Sequence, residues 1–230
     1  MRICGVQKLA MVDYPGKLAA TVFTGGCNLR CPFCHNALLV TRLEESPALD
    51  EGEVLDFLRK RKGLLEGVVL SGGEPLLQKG AAAFLAKVRE MGYAVKLDTN
   101  GFYPAALAEL LEGKLLDYVA MDIKNSREKY ALTCGLDTVD LAAVEESIRL
   151  LRQSGVEYEF RTTMVRQLHT AEDLESIGRW LGPCPHYYLQ NFVDSGNLIG
   201  SGFSAFTPEE MEQLAEVLRP WVTSVALRGL

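Results

Sequence analysis

The chain has 230 residues, of which 48% are hydrophobic and 23% are charged, and its formal net charge is −6. This length suits one domain with a sizeable core, and the composition is that of an ordinary globular protein. An acidic chain without a basic cluster argues against nucleic acid or an anionic membrane as the main partner. Because we find no secretory pattern and no apolar run that could span a bilayer, we expect a cytoplasmic protein.

Strand-like and helix-like stretches alternate along the chain. The first two predicted strands, residues 6–11 and 18–23, form a hairpin around the turn at Pro15 and Gly16. Further strands are predicted at residues 67–70, 94–97, 118–123, 157–164 and 186–189. Helices are predicted at residues 50–61, 80–91, 104–112, 141–154 and 171–181. A capping box at Thr207 and Glu210 predicts a last helix that ends near residue 219.

This alternation predicts an α/β fold with a parallel sheet. About six strand–helix units are fewer than the eight of a closed barrel, so we expect a partial (β/α)6 barrel, with a doubly wound open sheet as the alternative. We expect a single domain over residues 1–230, with a core at about 6–192 and a C-terminal helix and tail at 207–230. In both architectures the active site lies at the carboxyl ends of the parallel strands, so motifs that follow strands are the candidates for function.

Three cysteines, Cys27, Cys31 and Cys34, follow the predicted strand at residues 18–23 on one short loop. Thiolates on so short a loop can converge on three corners of an iron–sulfur cube, and two preceding glycines allow the backbone to fold closely around it. Three ligands leave one iron without a protein ligand, which is what a metal needs in order to hold a substrate. The spacing therefore predicts a catalytic iron–sulfur centre.

A structural zinc site and inert buried thiols are the alternatives for the same loop. Zinc would need a fourth ligand, but His35 directly adjoins Cys34, and the chain has no second CxxC pair. Disulfides are not expected in a chain of this size with so many apolar residues. The other three cysteines are isolated, and we expect buried, inert thiols at Cys4, Cys134 and Cys184. Structural roles are expected for His169 and His186.

The CxxxCxxC arrangement, with Phe33 before its last cysteine, resembles the radical S-adenosylmethionine (SAM) enzymes. The following His35 and Asn36 are similar to the activating enzymes of glycyl radical enzymes. The lead-in at residues 14–16 resembles the activating proteins of anaerobic ribonucleoside-triphosphate reductase, and the resemblance extends over about residues 6–192. It implies a [4Fe–4S] cluster on the three loop cysteines and SAM bound beside it, with Phe33 against the adenine.

Two motifs after later strands match the same family. Gly72, Gly73 and Glu74 match the segment that binds the amino group of SAM, although a Gly-Gly-Glu-Pro run is also a plain turn. Asp98 and Asn100 lie in a stretch that matches the activating enzymes, although an Asn-Gly pair alone predicts only a loop. The resemblance therefore implies cofactor-binding roles for both segments.

Polar residues of three further strands complete the match. Asp122 and Lys124 are expected near the ribose and carboxylate of SAM, although a buried Asp–Lys pair can be purely structural. Arg161 is expected to face the cofactor. Gln190 stands where the pyruvate formate-lyase activating type has a histidine, which favours the reductase-activating branch. A monovalent cation held by Asp98, Thr99 and Asp122 is a weaker expectation.

The implied function is reductive cleavage of SAM followed by hydrogen abstraction from a glycine of a partner, a glycyl radical enzyme such as the anaerobic reductase. The electron donor is expected to be of the flavodoxin or ferredoxin type. One alternative keeps this chemistry but acts on a small pterin or nucleoside precursor. An alternative of another class is a non-catalytic iron–sulfur electron carrier or redox sensor, which would need four protein ligands.

Overall fold

A computed structural model describes residues 1–230, and eight strands are present. They are β1 (Ile3–Ala10), β2 (Ala19–Thr24), β3 (Gly67–Gly72), β4 (Ala94–Thr99), β5 (Tyr118–Asp122), β6 (Glu157–Met164), β7 (Tyr187–Asn191) and β8 (Val225–Arg228). Their order in the sheet is their order in the chain. A doubly wound sheet reverses its strand order at a switch point, so that alternative is wrong. The observed order is the one that the predicted partial barrel requires.

The helices agree with the prediction except for two short ones. They are α1 (Ala37–Thr41), α2 (Glu51–Lys60), α3 (Ala81–Glu90), α4 (Pro104–Glu112), α5 (Tyr130–Cys134), α6 (Leu141–Ser154), α7 (Ala171–Leu181) and α8 (Pro208–Leu218). The predicted capping box of α8 is present, with Thr207 and Glu210 each bonding the backbone of the other. The helices α1 and α5, and the strand β8, were not predicted. None of the helices combines the length and apolarity needed to cross a lipid bilayer.

The chain forms two compact units, each assembled from three segments. Unit one contains Met1–Asn28, Leu38–Ala120 and Ala142–Glu157. Unit two contains Leu29–Ala37, Met121–Leu141 and Tyr158–Leu230. That residues 1–230 behave as one domain stays a prediction.

The sheet of unit one begins with the antiparallel pair β1–β2 and continues with β3 and β4 in parallel. The middle of β3 is an apolar run, Val68, Val69 and Leu70, that is buried on both faces. Such runs are typical of parallel strands that are covered on both sides. Thr24 at the end of β2 pairs with Gly72 at the end of β3, so the two following loops start side by side.

The sheet of unit two contains β6, β7 and β8, which pair in parallel. Alternate residues of β6 are buried, including Phe160, Thr162 and Met164, while Arg161 and Thr163 alternate with them. Because side chains alternate across a strand, Arg161 and Thr163 share the opposite face of the sheet. The strand therefore has one buried, mainly apolar face and one polar face.

Candidate active site

In unit one, the loop after β3 packs directly on the loop after β2. The Gly73 N–H donates to the Thr24 carbonyl at 2.9 Å, and the Glu74 N–H donates to the Gly26 carbonyl at 2.8 Å. A Cβ atom at Gly73 would lie 2.0 Å from the Gly26 carbonyl oxygen, and Gly72 has a φ of +120°. Only glycine fits such a close approach and such a backbone angle. The two glycines thus fix the segment against the residue before Cys27.

The Glu74 carboxylate is fully buried and is used within the chain. It accepts hydrogen bonds from the Leu76 N–H at 3.0 Å, the Thr99 hydroxyl at 2.8 Å and the Asn100 N–H at 2.8 Å. A buried carboxylate needs such donors, because its charge is otherwise costly to remove from water. Glu74 therefore ties the loop after β4 to the loop after β3. A contact with the amino group of SAM stays a prediction for this segment.

Asn100 extends this network to the first cysteine. Its Nδ2 donates to Oδ1 of Asn28 at 2.8 Å and lies 3.8 Å from Sγ of Cys27. Its Oδ1 accepts from the Phe102 N–H at 3.1 Å, which fixes the orientation of the amide. Nearby Tyr103 was not predicted as part of the site; burial raises its pKa, as do the negative charges of Glu74 and Cys27.

Asp98 is engaged by a buried lysine that the sequence analysis missed. Lys96 Nζ lies 2.5 Å from Oδ1 of Asp98, and the Ser71 hydroxyl donates to Oδ2 at 3.0 Å. A lysine within an apolar strand needs a buried partner, which was the signal available in the sequence. The Thr99 hydroxyl donates its hydrogen bond to the Glu74 carboxylate, and Asp122 belongs to unit two. Nothing supports the expected monovalent cation.

In unit two, the other two cysteines lie on a tight turn in which the Cys34 N–H donates to the Cys31 carbonyl at 3.0 Å. A hydrogen bond from the Cys134 thiol lowers the pKa of Cys31 to about 7, assisted by the charge of Lys124 and opposed by burial. Burial raises the pKa of Cys34. Phe33 between them is buried. Cys134 is buried as predicted, and its carbonyl accepts from the N–H of Arg30, the residue before Cys31, at 2.9 Å.

Asp122 joins two cations at the end of β5. Its Oδ2 accepts from Nζ of Lys124 at 2.7 Å, and its Oδ1 accepts from Nε of Arg161 at 2.5 Å. Burial alone would raise the pKa of Asp122, but the charges of Arg161 and Lys124 hold it well below its usual range. The carboxylate is therefore ionised at neutral pH, and the three side chains carry one net positive charge.

The segment after β5 is fixed by buried side chains. His169 Nε2 bonds the Lys124 carbonyl at 2.8 Å, while its Nδ1 accepts from the Val165 N–H at 3.1 Å. Buried Asn125 donates to the Thr133 hydroxyl at 2.9 Å and bonds the Leu168 carbonyl at 3.0 Å. The structural role expected for His169 is thus confirmed. These contacts hold Lys124 in place at the end of the strand.

Gln190 lies on β7 in register with Thr163 and Arg228. Arg228 makes two hydrogen bonds with buried Glu159, at 2.6 and 2.9 Å, and its guanidinium lies 3.4 Å from the ring centre of Tyr188. Because β8 was not predicted, this arginine was not considered as a neighbour of Gln190. A bidentate pair of this kind is geometrically specific and anchors the last strand.

Residues 21–181 match the family model described as "Radical SAM superfamily". The chain belongs to the radical SAM superfamily. It is 34% identical to a candidate glycyl-radical enzyme activating enzyme of Methanocaldococcus jannaschii, over 99% of this chain and 96% of that protein. It is also 34% identical to the pyruvate formate-lyase-activating enzyme of Clostridium pasteurianum, over 54% of this chain and 52% of that enzyme.

A solved structure has the same fold as this chain. SuiB of Streptococcus suis, bound to its precursor peptide SuiA, superposes with a TM-score of 0.70 at 17% identity. The match covers 91% of this chain and 48% of SuiB, so the chain spans about half of that protein. The family match and the relative of Methanocaldococcus jannaschii identify an enzyme of the radical SAM glycyl-radical activating type. The likeness to SuiB confirms the parallel α/β fold.

The cysteine loop has the donor chemistry that an iron–sulfur cluster requires. None of the three loop cysteines is in a disulfide, and soft thiolates are the usual ligands of such clusters. Cys27 lies in unit one, whereas Cys31 and Cys34 lie in unit two. No group of three or more His, Cys, Asp or Glu side chains is placed to hold a metal ion in the structure. The fit of a cluster therefore rests on the kind of donors and their spacing in the chain.

Proposed function

We propose that this protein activates a glycyl radical enzyme by cleaving SAM and abstracting hydrogen from a glycine of that partner. The observation that carries the proposal is the likeness, over nearly the full length of both chains, to a candidate activating enzyme. The partner that we propose is an anaerobic ribonucleoside-triphosphate reductase, on the basis of the lead-in at residues 14–16 and of Gln190.

We propose that Cys27, Cys31 and Cys34 hold a [4Fe–4S] cluster. When bound, the cluster supplies the electron that cleaves the carbon–sulfur bond of SAM. The chain contributes thiolates, and the lowered pKa of Cys31 supports its ligation near neutral pH, because only the thiolate binds a metal. A flavodoxin- or ferredoxin-type protein is the proposed source of the electron.

The proposed SAM contacts come from residues whose positions the chain already fixes. Gly72 and Gly73 expose backbone at the end of β3, and we assign the amino group to this backbone because the Glu74 carboxylate is taken up by three donors. Asp98 and Asn100 follow β4 and complete the contacts proposed from unit one.

Unit two contributes charge to the proposed contacts. Lys124 and Arg161 share one carboxylate, so their net positive charge suits the carboxylate of SAM, while Asp122 suits a ribose hydroxyl. Phe33 is proposed to pack on the adenine, and Gln190 to contact the cofactor from β7. Groups held in this way need little rearrangement when a ligand binds.

A polypeptide is the proposed substrate, in keeping with the fold. SuiB, which shares this fold, binds the precursor peptide SuiA. We propose that this chain acts on a glycine in a backbone loop of its partner protein. Such a loop must reach the cleaved cofactor while other hydrogen donors are kept out, because a competing donor would quench the radical.

The test is anaerobic incubation of cluster-loaded protein with SAM, a strong reductant and purified partner reductase. We expect 5′-deoxyadenosine and a glycyl radical signal in the partner by electron paramagnetic resonance (EPR). Cys34→Ala should abolish both, whereas the matched control Cys184→Ala should keep both. Absence of 5′-deoxyadenosine with wild type would overturn the radical chemistry. Product without a glycyl signal would overturn only the choice of partner.

A further inference from the structure

Lys96 is a buried lysine on β4, in the sheet of unit one. Its side chain is 3% exposed, and its neighbours along the strand, Val95 and Leu97, are fully buried. It lies in register with Val69, an apolar residue of β3. A charged group in such surroundings is costly unless it is paired and hydrogen-bonded. The partner of Lys96 therefore indicates what this lysine does.

The partner is Asp98, which lies two residues further along β4 and so projects from the same face of the sheet. Nζ of Lys96 donates to Oδ1 of Asp98 at 2.5 Å, and the Ser71 hydroxyl donates to Oδ2 at 3.0 Å. The two donors come from adjacent strands and fix the orientation of the carboxylate. Because the Asp98 side chain is 15% exposed, a ligand can reach the carboxylate but not the more deeply buried ammonium group.

The ion pair places a fixed carboxylate at the edge of the sheet where a site is expected. Asp98 directly precedes Thr99 and Asn100, which both donate to Glu74. In parallel α/β sheets the active site lies at this carboxyl end of the strands. Stability alone does not account for the pair, because the cost of removing two charges from water offsets most of their attraction. Its distinct effect is to immobilise Asp98 before a ligand binds.

We propose that Lys96 is a positioning residue that holds the Asp98 carboxylate in place for a donor group of SAM. The inference rests on the proposed function in that Asp98 contacts SAM. Loss of the ammonium group removes a donor that orients the carboxylate, so SAM binding must then include the cost of ordering Asp98. A lysine with a merely structural role would change the free energy of unfolding but not the affinity of the folded chain for SAM.

The experiment is an anaerobic calorimetric titration of SAM into the cluster-loaded full chain, with the cluster kept oxidised so that SAM is not cleaved. Lys96→Met keeps the length of the side chain but removes the donor. We expect the Kd for SAM to rise about tenfold, in line with the weight of a hydrogen bond to a charged group. Lys96→Arg keeps a cationic donor and should stay close to wild type. The control Lys60→Met, at an exposed lysine of unit one, should bind SAM like wild type.

The same titration of Asp98→Asn separates the inference from the proposed function. Wild-type affinity in folded Lys96→Met, with weak binding by Asp98→Asn, would overturn the inference and leave the proposed contact of Asp98 intact. An equal loss of affinity in Lys96→Met and Lys96→Arg would assign packing to Lys96 and would also overturn the inference. A wild-type chain that binds no SAM would overturn the proposed function and the inference with it.

A double variant covers the case in which Lys96→Met does not fold in a parallel urea titration. Lys96→Met combined with Asp98→Asn removes both charges of the pair, so that no carboxylate is left buried without its partner. A wild-type Kd for SAM in this double variant would overturn the inference, whereas a raised Kd would support it.

Discussion

The side-chain amide of Asn100 lies 3.8 Å from the sulfur of Cys27 and donates to the neighbouring Asn28 at 2.8 Å. The backbone N–H of the same residue donates to the buried Glu74 carboxylate. Asn100 therefore links the loop after β4 to the first cysteine. It is the residue through which the glycine-rich segment and the cysteine loop share one hydrogen-bond network in unit one.

Asn100→Ala should weaken cluster retention without unfolding the protein. Loss of the amide removes the donor beside Cys27 and the bond to Asn28, at a cost of about 1 kcal/mol in the free energy of unfolding. We expect a lower iron content after anaerobic reconstitution and gel filtration. The exposed Gln213→Ala should retain iron like wild type. Equal iron content in both variants would show that Asn100 has no part in holding the loop.

Glu74→Gln tests whether the Glu74 carboxylate has a structural role or binds SAM directly. The amide can present only one oxygen, so at least one of three buried donors meets an NH₂ group. We expect the free energy of unfolding in urea to fall by about 1–3 kcal/mol. The exposed Glu112→Gln should change it by less than about 0.5 kcal/mol. Wild-type stability with weaker SAM binding would instead make the Glu74 carboxylate a direct ligand.

Gly73→Ala tests the backbone contact between the two loops. The added Cβ would overlap the Gly26 carbonyl oxygen at 2.0 Å, and both partners are backbone that cannot turn aside. We expect the free energy of unfolding of Gly73→Ala to fall by about 1–3 kcal/mol, which is the usual cost of overpacking. Gly5→Ala is the matched control, because its Cβ meets only the Phe23 ring at 3.8 Å. If both variants are equally stable in urea, the close approach is not a constraint on sequence.

His169 should make stability depend on pH. Burial lowers its pKa, so the folded chain keeps the ring neutral, with Nδ1 accepting from Val165. The contribution of His169 to the free energy of unfolding is complete above about pH 6.5, the pKa of histidine in the unfolded chain. This contribution is lost as the pH falls from there through the lower pKa of His169 in the folded chain. Urea midpoints measured from pH 8 to pH 5 should therefore fall more steeply for wild type than for His169→Gln.

The exposed His186→Gln is the control for this comparison. The urea midpoint of this variant should depend on pH as that of the wild type does, because His169 is still present. At pH 8, His169→Gln should itself be less stable by about 1–2 kcal/mol, because two buried hydrogen bonds are disturbed. Parallel curves for wild type and His169→Gln would contradict the assignment of a neutral, hydrogen-bonded ring.

Elements with a clear period were predictable, and short ones were not. The helix α6 shows its apolar stripe in sequence, and Val144, Ile148 and Leu151 are indeed buried. The strand β8 has four residues, all partly exposed, and α5 has five, so neither contains enough repeats to reveal a period. Such short elements form because residues that are distant in the sequence pack on them, and a local sequence pattern does not reveal those contacts.

The candidate site was predictable where a motif is contiguous. The cysteine loop and the segment around Glu74 were found from spacing, but the use of the carboxylate by Thr99 and Asn100 required the fold. The contact of Cys134 with the cysteine loop was missed for the same reason. Cys134 is isolated in the sequence and meets the loop only because α5 docks on Arg30.

The central claim is that three thiolates hold a cluster with one iron accessible to SAM. The most direct measurement is the EPR spectrum of the reduced, cluster-loaded wild-type chain, recorded with and without SAM. We predict a clear change in the spectrum on addition of SAM, because a ligand reaches the iron that has no cysteine. An unchanged spectrum at saturating SAM would contradict the account and favour a closed electron-transfer centre.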